Sequence, residues 1–247
     1  MTLVHLKWGS SPLFFPISRG KHIERTQYLY RESGDFGKYS IHSPYYIITM
    51  VFHNQEQSIE SAIQKLNTEL NYLHLDGLCL HTGPIIRKEE AYASMPLDER
   101  RRIFNKMIAF IRQINIHYKS FHIEKKHIAN TLDATIILSK QISQFIKDNY
   151  EEFLSFDVIK LYYDNGQVEV SRILSSAFSS LLPNTIFKKV MPAQYKLFQV
   201  ADLLCTMKLI QLKYDNSNFS KSELLFFGNR NDLNKNYLKP LRKKEWH

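Results

Sequence analysis

The chain is 247 residues long, room for one generous domain, and its 44% apolar content, 23% charge and only 8 Gly and 8 Pro exclude wholesale disorder and collagen-like or linker-like architecture. Two cysteines, Cys79 and Cys205, exclude a disulfide scaffold and any Cys-x-x-Cys zinc pair, and no stretch approaches the roughly 18 to 20 apolar residues of a membrane helix, so the expected setting is the reducing cytoplasm. Thirty-three Lys and Arg against 24 Asp and Glu leave a net charge of +9, gathered at Arg87-Lys88, Arg100-Arg101-Arg102, Lys125-Lys126, Lys188-Lys189 and Arg242-Lys243-Lys244, a balance that favours nucleic acid as a polyanionic partner.

Residues 1–26 read as an irregular leader, since Leu13-Phe14-Phe15 between Pro12 and Pro16 is too short and too broken for a signal peptide. Tyr28-Leu29-Tyr30 is a short strand closed by the turn-forming Ser33-Gly34-Asp35-Phe36-Gly37, and Tyr45 to Phe52 (YYIITMVF) is the clearest strand of the chain. From Ser58 to Leu73 the period becomes helical, with Ile59, Ala62, Ile63, Leu66, Leu70 and Leu73 on one face. Leu78-Cys79-Leu80 reads as a third short strand ending at His81 and a Gly83-Pro84 turn. Pro96, Asp98 and Glu99 open a helix striped by Ile103, Phe104, Met107, Ile108 and Ile111. Ile116 to Ile123 is a strand, and Asn130 or Thr131 caps the next helix through Ile146. A strand from Val158 to Tyr163, a helix from about Val168 to Leu181, a strand from Ile186 to Val190 and a helix from about Gln194 to Tyr214 follow. The polar and basic tail from Asp215 to His247 carries one apolar knot at Leu224 to Phe227. The order predicts an α/β domain over residues 27–214 with a mixed sheet, followed by a basic extension over 215–247.

Three acidic positions stand out. Glu32 and Asp35 end the first strand, where a solvated turn would also explain them. Asp164 follows the strand Val158 to Tyr163, either as a plain Asp-Asn-Gly turn or as an acid projecting into a crevice at the strand ends. Asp202 shares its helix face with Phe198, Cys205 and Leu209, and a carboxylate on an apolar face needs a metal, a hydrogen-bond donor or a salt bridge to Lys or Arg. Carboxylates from separate elements can converge on hard cations such as Mg²⁺ or Mn²⁺, and two such ions can clamp a scissile phosphate.

The segments YLYRESGDFG, LHTGPIIRKEEAY, YYDNGQ and FQVADLLC resemble the bacterial family called domain of unknown function 3800, over roughly Tyr28 to Tyr214. That family opens on a hydrophobic strand running into Asp-Glu-Ser-Gly and ends on an Ala-Asp-Leu helix. The resemblance implies an α/β, ribonuclease H-like mixed sheet flanked by helices. It marks Glu32, Asp164 and Asp202 as metal ligands, with Asp35 able to complete the shell. His81 falls where an imidazole could contact substrate or water, or be a plain strand-end histidine. The departure is Arg31, which stands where the family places its leading Asp. Neighbouring strand residues point to opposite faces, so Glu32 does not simply replace it, and a guanidinium repels the ion that an Asp would hold.

Two functions follow from this reading. The first is a Mg²⁺- or Mn²⁺-dependent nuclease, weakened or dead because of Arg31, with Lys125, Lys126, Lys243 and Lys244 as contacts to the phosphate backbone. The second is a catalytically silent nucleic-acid-binding or partner-binding protein on the same fold. A homo-oligomer is compatible with the sequence and not required by it.

Overall fold

The computed structural model describes residues 25–33, 39–40, 43–75, 77–163 and 167–247. Five strands among them, β1 (Arg25–Ser33), β2 (Tyr45–Asn54), β3 (His117–Glu124), β4 (Val158–Tyr163) and β5 (Thr185–Lys189), form one sheet in the order β3-β2-β1-β4-β5. The β1–β2 and β2–β3 ladders are antiparallel, and β1–β4 and β4–β5 are parallel. The result is a mixed five-stranded sheet with helices on both faces. The run YYIITMVF is apolar almost without alternation because β2 is buried on both sides, which only a strand covered on two faces can be.

One face is covered by α4 (Thr131–Asp148), α5 (Tyr150–Leu154) and α6 (Val168–Leu181), which pack Leu138, Phe145, Phe153 and Phe178 on Tyr28, Met50 and Phe52. The cap of α4 is Asn130, whose side chain accepts the N–H of Asp133. The other face is crossed by α7 (Lys196–Asp215), which lies on β1 and β2. Helices α1 (Glu60–Asn71), α2 (Thr82–Arg87), α3 (Leu97–Gln113) and α8 (Lys221–Phe227) belong to the same layer. Being covered by the sheet on one side and by α2 on another, α7 is buried nearly all round, which accounts for its lack of a clean apolar stripe.

Three expectations change. Leu78-Cys79-Leu80 forms no strand, and Gly83-Pro84 lies in the first turn of α2, where a proline's missing N–H costs no helical bond. Arg25 and Thr26 belong to β1 and not to a leader, the rest of which (residues 1–24) lies outside the described residues. The basic segment after residue 214 is packed into the domain. Phe226, Phe227, Leu233, Leu238 and Leu241 enter the α7-side core, and Trp246 packs against the core on the opposite side. The final residues run beside β3, with the Tyr118 N–H donating to the Lys244 carbonyl at 2.9 Å and the Trp246 N–H to the Tyr118 carbonyl at 2.7 Å.

Candidate functional site

Alternation along β1 decides which acids can meet. Leu29 packs with Leu197 and Ala201 of α7, whereas Tyr28 and Tyr30 pack in the α4–α6 layer. Arg31 therefore lies on the α7 side and Glu32 on the α6 side. The register agrees. Arg31 is opposite Thr49, between Ile47 and Val51 of the α7-side clusters, and Glu32 is opposite Ile48 of the other core.

Both oxygens of Glu32 are engaged on its own face. Oε2 accepts the Tyr46 hydroxyl at 2.5 Å and Oε1 accepts the Gln167 N–H at 2.6 Å, just ahead of α6. An anion there is favoured by the positive end of the helix. Burial and then the Glu32 charge push the Tyr46 phenol upward, so its proton stays on and Tyr46 remains a donor.

Asp202, half-buried in the second turn of α7, faces the other way. Its Oδ2 accepts the Thr82 N–H at 2.8 Å, the first amide of α2. The partner that an acid on an apolar face demands thus includes a backbone donor at a helix N-terminus. At the opposite end of α2, the buried Arg100 donates Nη1 to the carbonyls of Ile85 at 2.6 Å and Ile86 at 3.1 Å. A carboxylate at the N-terminus and a guanidinium at the C-terminus clamp this short helix along its dipole.

His81 immediately precedes α2. A hydrogen bond with Cys79 raises its pKa, burial opposes that shift, the Asp202 charge adds to it and Arg31 subtracts from it. The same charges reach Cys205, whose thiol is pushed up to about 12, first by burial and then by Asp202 and Glu32 against the pull of Arg31. Cys205 is therefore a buried, protonated packing residue. The Tyr92 phenol, near the His81 backbone, is likewise pushed up to about 12 by burial. The structure thus gathers Arg31, Cys79, His81 and Asp202 on the α7 face, and leaves Glu32 on the other. Asp35 and Asp164 lie outside the described residues.

This electrostatic arrangement has a direct readout. His81 is expected to titrate above its ordinary value of 6.5, while His53 and His122, lowered chiefly by burial, titrate below it. A raised histidine stabilises the fold below its unfolded pKa, and that contribution is lost as pH rises through the folded pKa. Imidazole NMR titration of the wild type and of Asp202→Asn checks this, because loss of the carboxylate should move His81 downward. No movement would mean that Asp202 does not act on His81.

The basic clumps are less free than their sequence suggests. Lys125 is buried and donates to Ser43 Oγ at 3.1 Å, so it is not a solvent-facing phosphate contact. Lys126 is exposed and paired with Glu124 at 2.8 Å. Lys244 donates to the Ile114 carbonyl at 2.7 Å, leaving Lys243 as the exposed lysine of that pair. Arg101 holds the Leu225 and Phe226 carbonyls at 2.9 and 2.7 Å. Arg100 was readable: it falls in phase with Phe104, Met107 and Ile111 on the apolar stripe of α3. Tyr46, Gln167 and Thr82 carry no such signal, since two of them act through backbone amides.

Among the described residues, no three His, Cys, Asp or Glu side chains cluster to hold a metal ion. The described donors do not fit a two-ion centre: Glu32 is on the far face, and Asp202 shares its surroundings at His81 with the Arg31 guanidinium. No protein-family model matches the sequence, and neither does any curated protein. Solved structures do. One is from the PCNA:RNase HII complex of Archaeoglobus fulgidus, similar over 88% of this chain and 89% of that one, with 12% identity and a TM-score of 0.40. Another is the ribonuclease H2 of Pyrococcus horikoshii OT3, similar over 80% of each chain, with 14% identity and a TM-score of 0.37.

Proposed function

We propose that the protein binds nucleic acid on the α7 face of its sheet and that Arg31, in place of a metal-ligating carboxylate, leaves divalent-metal phosphodiesterase chemistry weak or silent. The observation that carries this reading is a group of cations on the face of the sheet that also carries Arg31. Arg25, Lys160 and Lys188 share the face of Arg31, because Lys160 pairs with Gln27 and Lys188 with Tyr162, which packs in the α7-side core. Burial and then the like charges of Arg25 and Lys188 lower the Lys160 pKa, and its Nζ is anchored by Gln55 Oε1 at 2.7 Å. Cations held close together against their own repulsion suit a polyanion, which relieves that repulsion on binding.

The residues of this chain would neutralise phosphates at Arg25, Lys160 and Lys188. Binding of a fluorescent single-stranded oligonucleotide is expected to weaken steeply with salt, and Lys160→Ala with Lys188→Ala should reduce the slope of log K against log salt by about 1 to 2. An unchanged slope would remove these residues from the interface. No binding at low salt would overturn the nucleic-acid reading.

A further inference from the structure

Outside the site just described, a cleft of about 670 Å³ opens between α1, the residues Leu75, Gly77 and Leu78, and the start of α7. That volume lies within the roughly 300–1,000 Å³ range of small-molecule sites. Its walls combine apolar side chains such as Ile63 and Leu78 with Asn67 and Asn71 of α1, and with Tyr195 and Lys196 at the beginning of α7. Gln199 lines the same cleft. It is only 3% exposed, and its Oε1 has no hydrogen-bond partner. A buried amide oxygen without a donor carries a desolvation cost that a ligand N–H would relieve.

The second feature is the N-terminus of α7, a helix of 20 residues whose cap residue is Tyr195 and makes no side-chain capping hydrogen bond. The Phe198 N–H already donates to the Tyr195 carbonyl at 3.0 Å, so the Lys196 and Leu197 amides, with the positive end of the dipole, are the ones that would attract an anion. Lys196, half-buried beside them, adds a full positive charge. Burial lowers the Lys196 pKa, which marks a cation that gains by meeting an anion. Among the described lining residues the one carboxylate, Glu60, is at the exposed start of α1 and accepts a hydrogen bond from Gln64 at 3.3 Å.

From these two features we infer that the cleft is a nucleotide-binding pocket, with the phosphate at the α7 N-terminus and Lys196, and a base N–H donated to Gln199 Oε1. Every common nucleobase offers such an N–H, and the Tyr195 ring supplies an aromatic wall. The inference rests on the nucleic-acid reading only in choosing a nucleotide over other phosphorylated molecules. It places a subsite beside the candidate site, since Asp202 follows Gln199 by one helical turn.

The test is calorimetric titration of the full chain with AMP, GMP, CMP and UMP, and with inorganic phosphate. At least one nucleotide should bind with one-to-one stoichiometry and at least tenfold more tightly than phosphate. Gln199→Leu, which removes the orphaned oxygen at similar volume, should weaken that nucleotide at least tenfold without lowering the melting temperature. Asn67→Trp, at an exposed position on the wall, should block binding even if the Gln199 variant folds poorly. The inference is overturned if none of the four nucleotides saturates, if phosphate alone binds as tightly, or if both variants bind like the wild type. Oligonucleotide binding measured in parallel separates the two readings. Nucleotide failure with salt-sensitive oligonucleotide binding overturns the pocket alone, and the reverse overturns the nucleic-acid interface while supporting the pocket.

Discussion

Arg31→Asp is expected to raise Mn²⁺ affinity at least tenfold, and Arg31→Ala to give a smaller gain. A single positive charge about 5 Å from a unit charge costs roughly 3 kcal/mol at an effective dielectric of about 20, and a divalent ion feels twice that before solvent screening. Arg31 is part-exposed, so screening reduces the figure, yet tenfold corresponds to only about 1.4 kcal/mol. Alanine removes the repulsion, whereas aspartate also adds an oxygen ligand on the face that Asp202 shares. Calorimetric Mn²⁺ titration of the three forms measures this, beside cleavage assays on single-stranded and duplex substrates. The histidine signal gives an independent check: Arg31 lowers the His81 pKa, so either substitution should move it upward. Equal, weak Mn²⁺ binding by all three forms would show that the described carboxylates cannot hold a metal with or without Arg31. Strong Mg²⁺-dependent cleavage by the wild type, unimproved by Asp, would place the active site elsewhere.

The opposite orientation of Arg31 and Glu32 is the part of the site that was legible in advance, because a period of two is a property of every strand. So was the need for a partner at Asp202, since Phe198, Cys205 and Leu209 surround it on the helix. What the sequence could not convey was the partner's identity. The Thr82 amide is a backbone group 120 residues away, and its availability depends on α2 beginning there. That helix was hidden because Thr82-Gly83-Pro84 looks like a turn, and a six-residue helix has too little length to show a period. The same limitation applies to charge. Arg100, Arg101, Lys125 and Lys244 count fully toward +9, but each donates to an internal oxygen, so their contribution to a phosphate interface was overstated. The strands and long helices were readable within a few residues because apolar burial fixes their periodicity. The tail was not, because its apolar residues are spaced among lysines and asparagines with no sustained period.

Trp246→Ala is expected to destabilise the fold by about 3 kcal/mol, although this residue is the next to last of the chain. Its ring stacks on Phe153 at 5.8 Å with the planes 11° apart, and meets Phe52 edge-on at 4.8 Å and Phe145 at 5.4 Å. Its indole Nε1–H donates to Asn149 Oδ1 at 2.9 Å, and its backbone N–H to the Tyr118 carbonyl at 2.7 Å. The side chain thus ties β2, α4 and α5 to the edge strand β3, and truncation would open a void among aromatic rings that cannot collapse into it. Trp246→Phe keeps much of the ring contact and loses the indole donor, so its cost should be near 1 kcal/mol. Lys243→Ala, at an exposed position three residues earlier, should change stability by less than about 0.5 kcal/mol. Urea unfolding of the three variants, compared at equal m-value, distinguishes a packed C-terminus from a solvated basic extension. A loss below about 0.5 kcal/mol for Trp246→Ala would return residues 243–247 to the role their composition suggests, an appendage that contacts a polyanion and contributes nothing to the core.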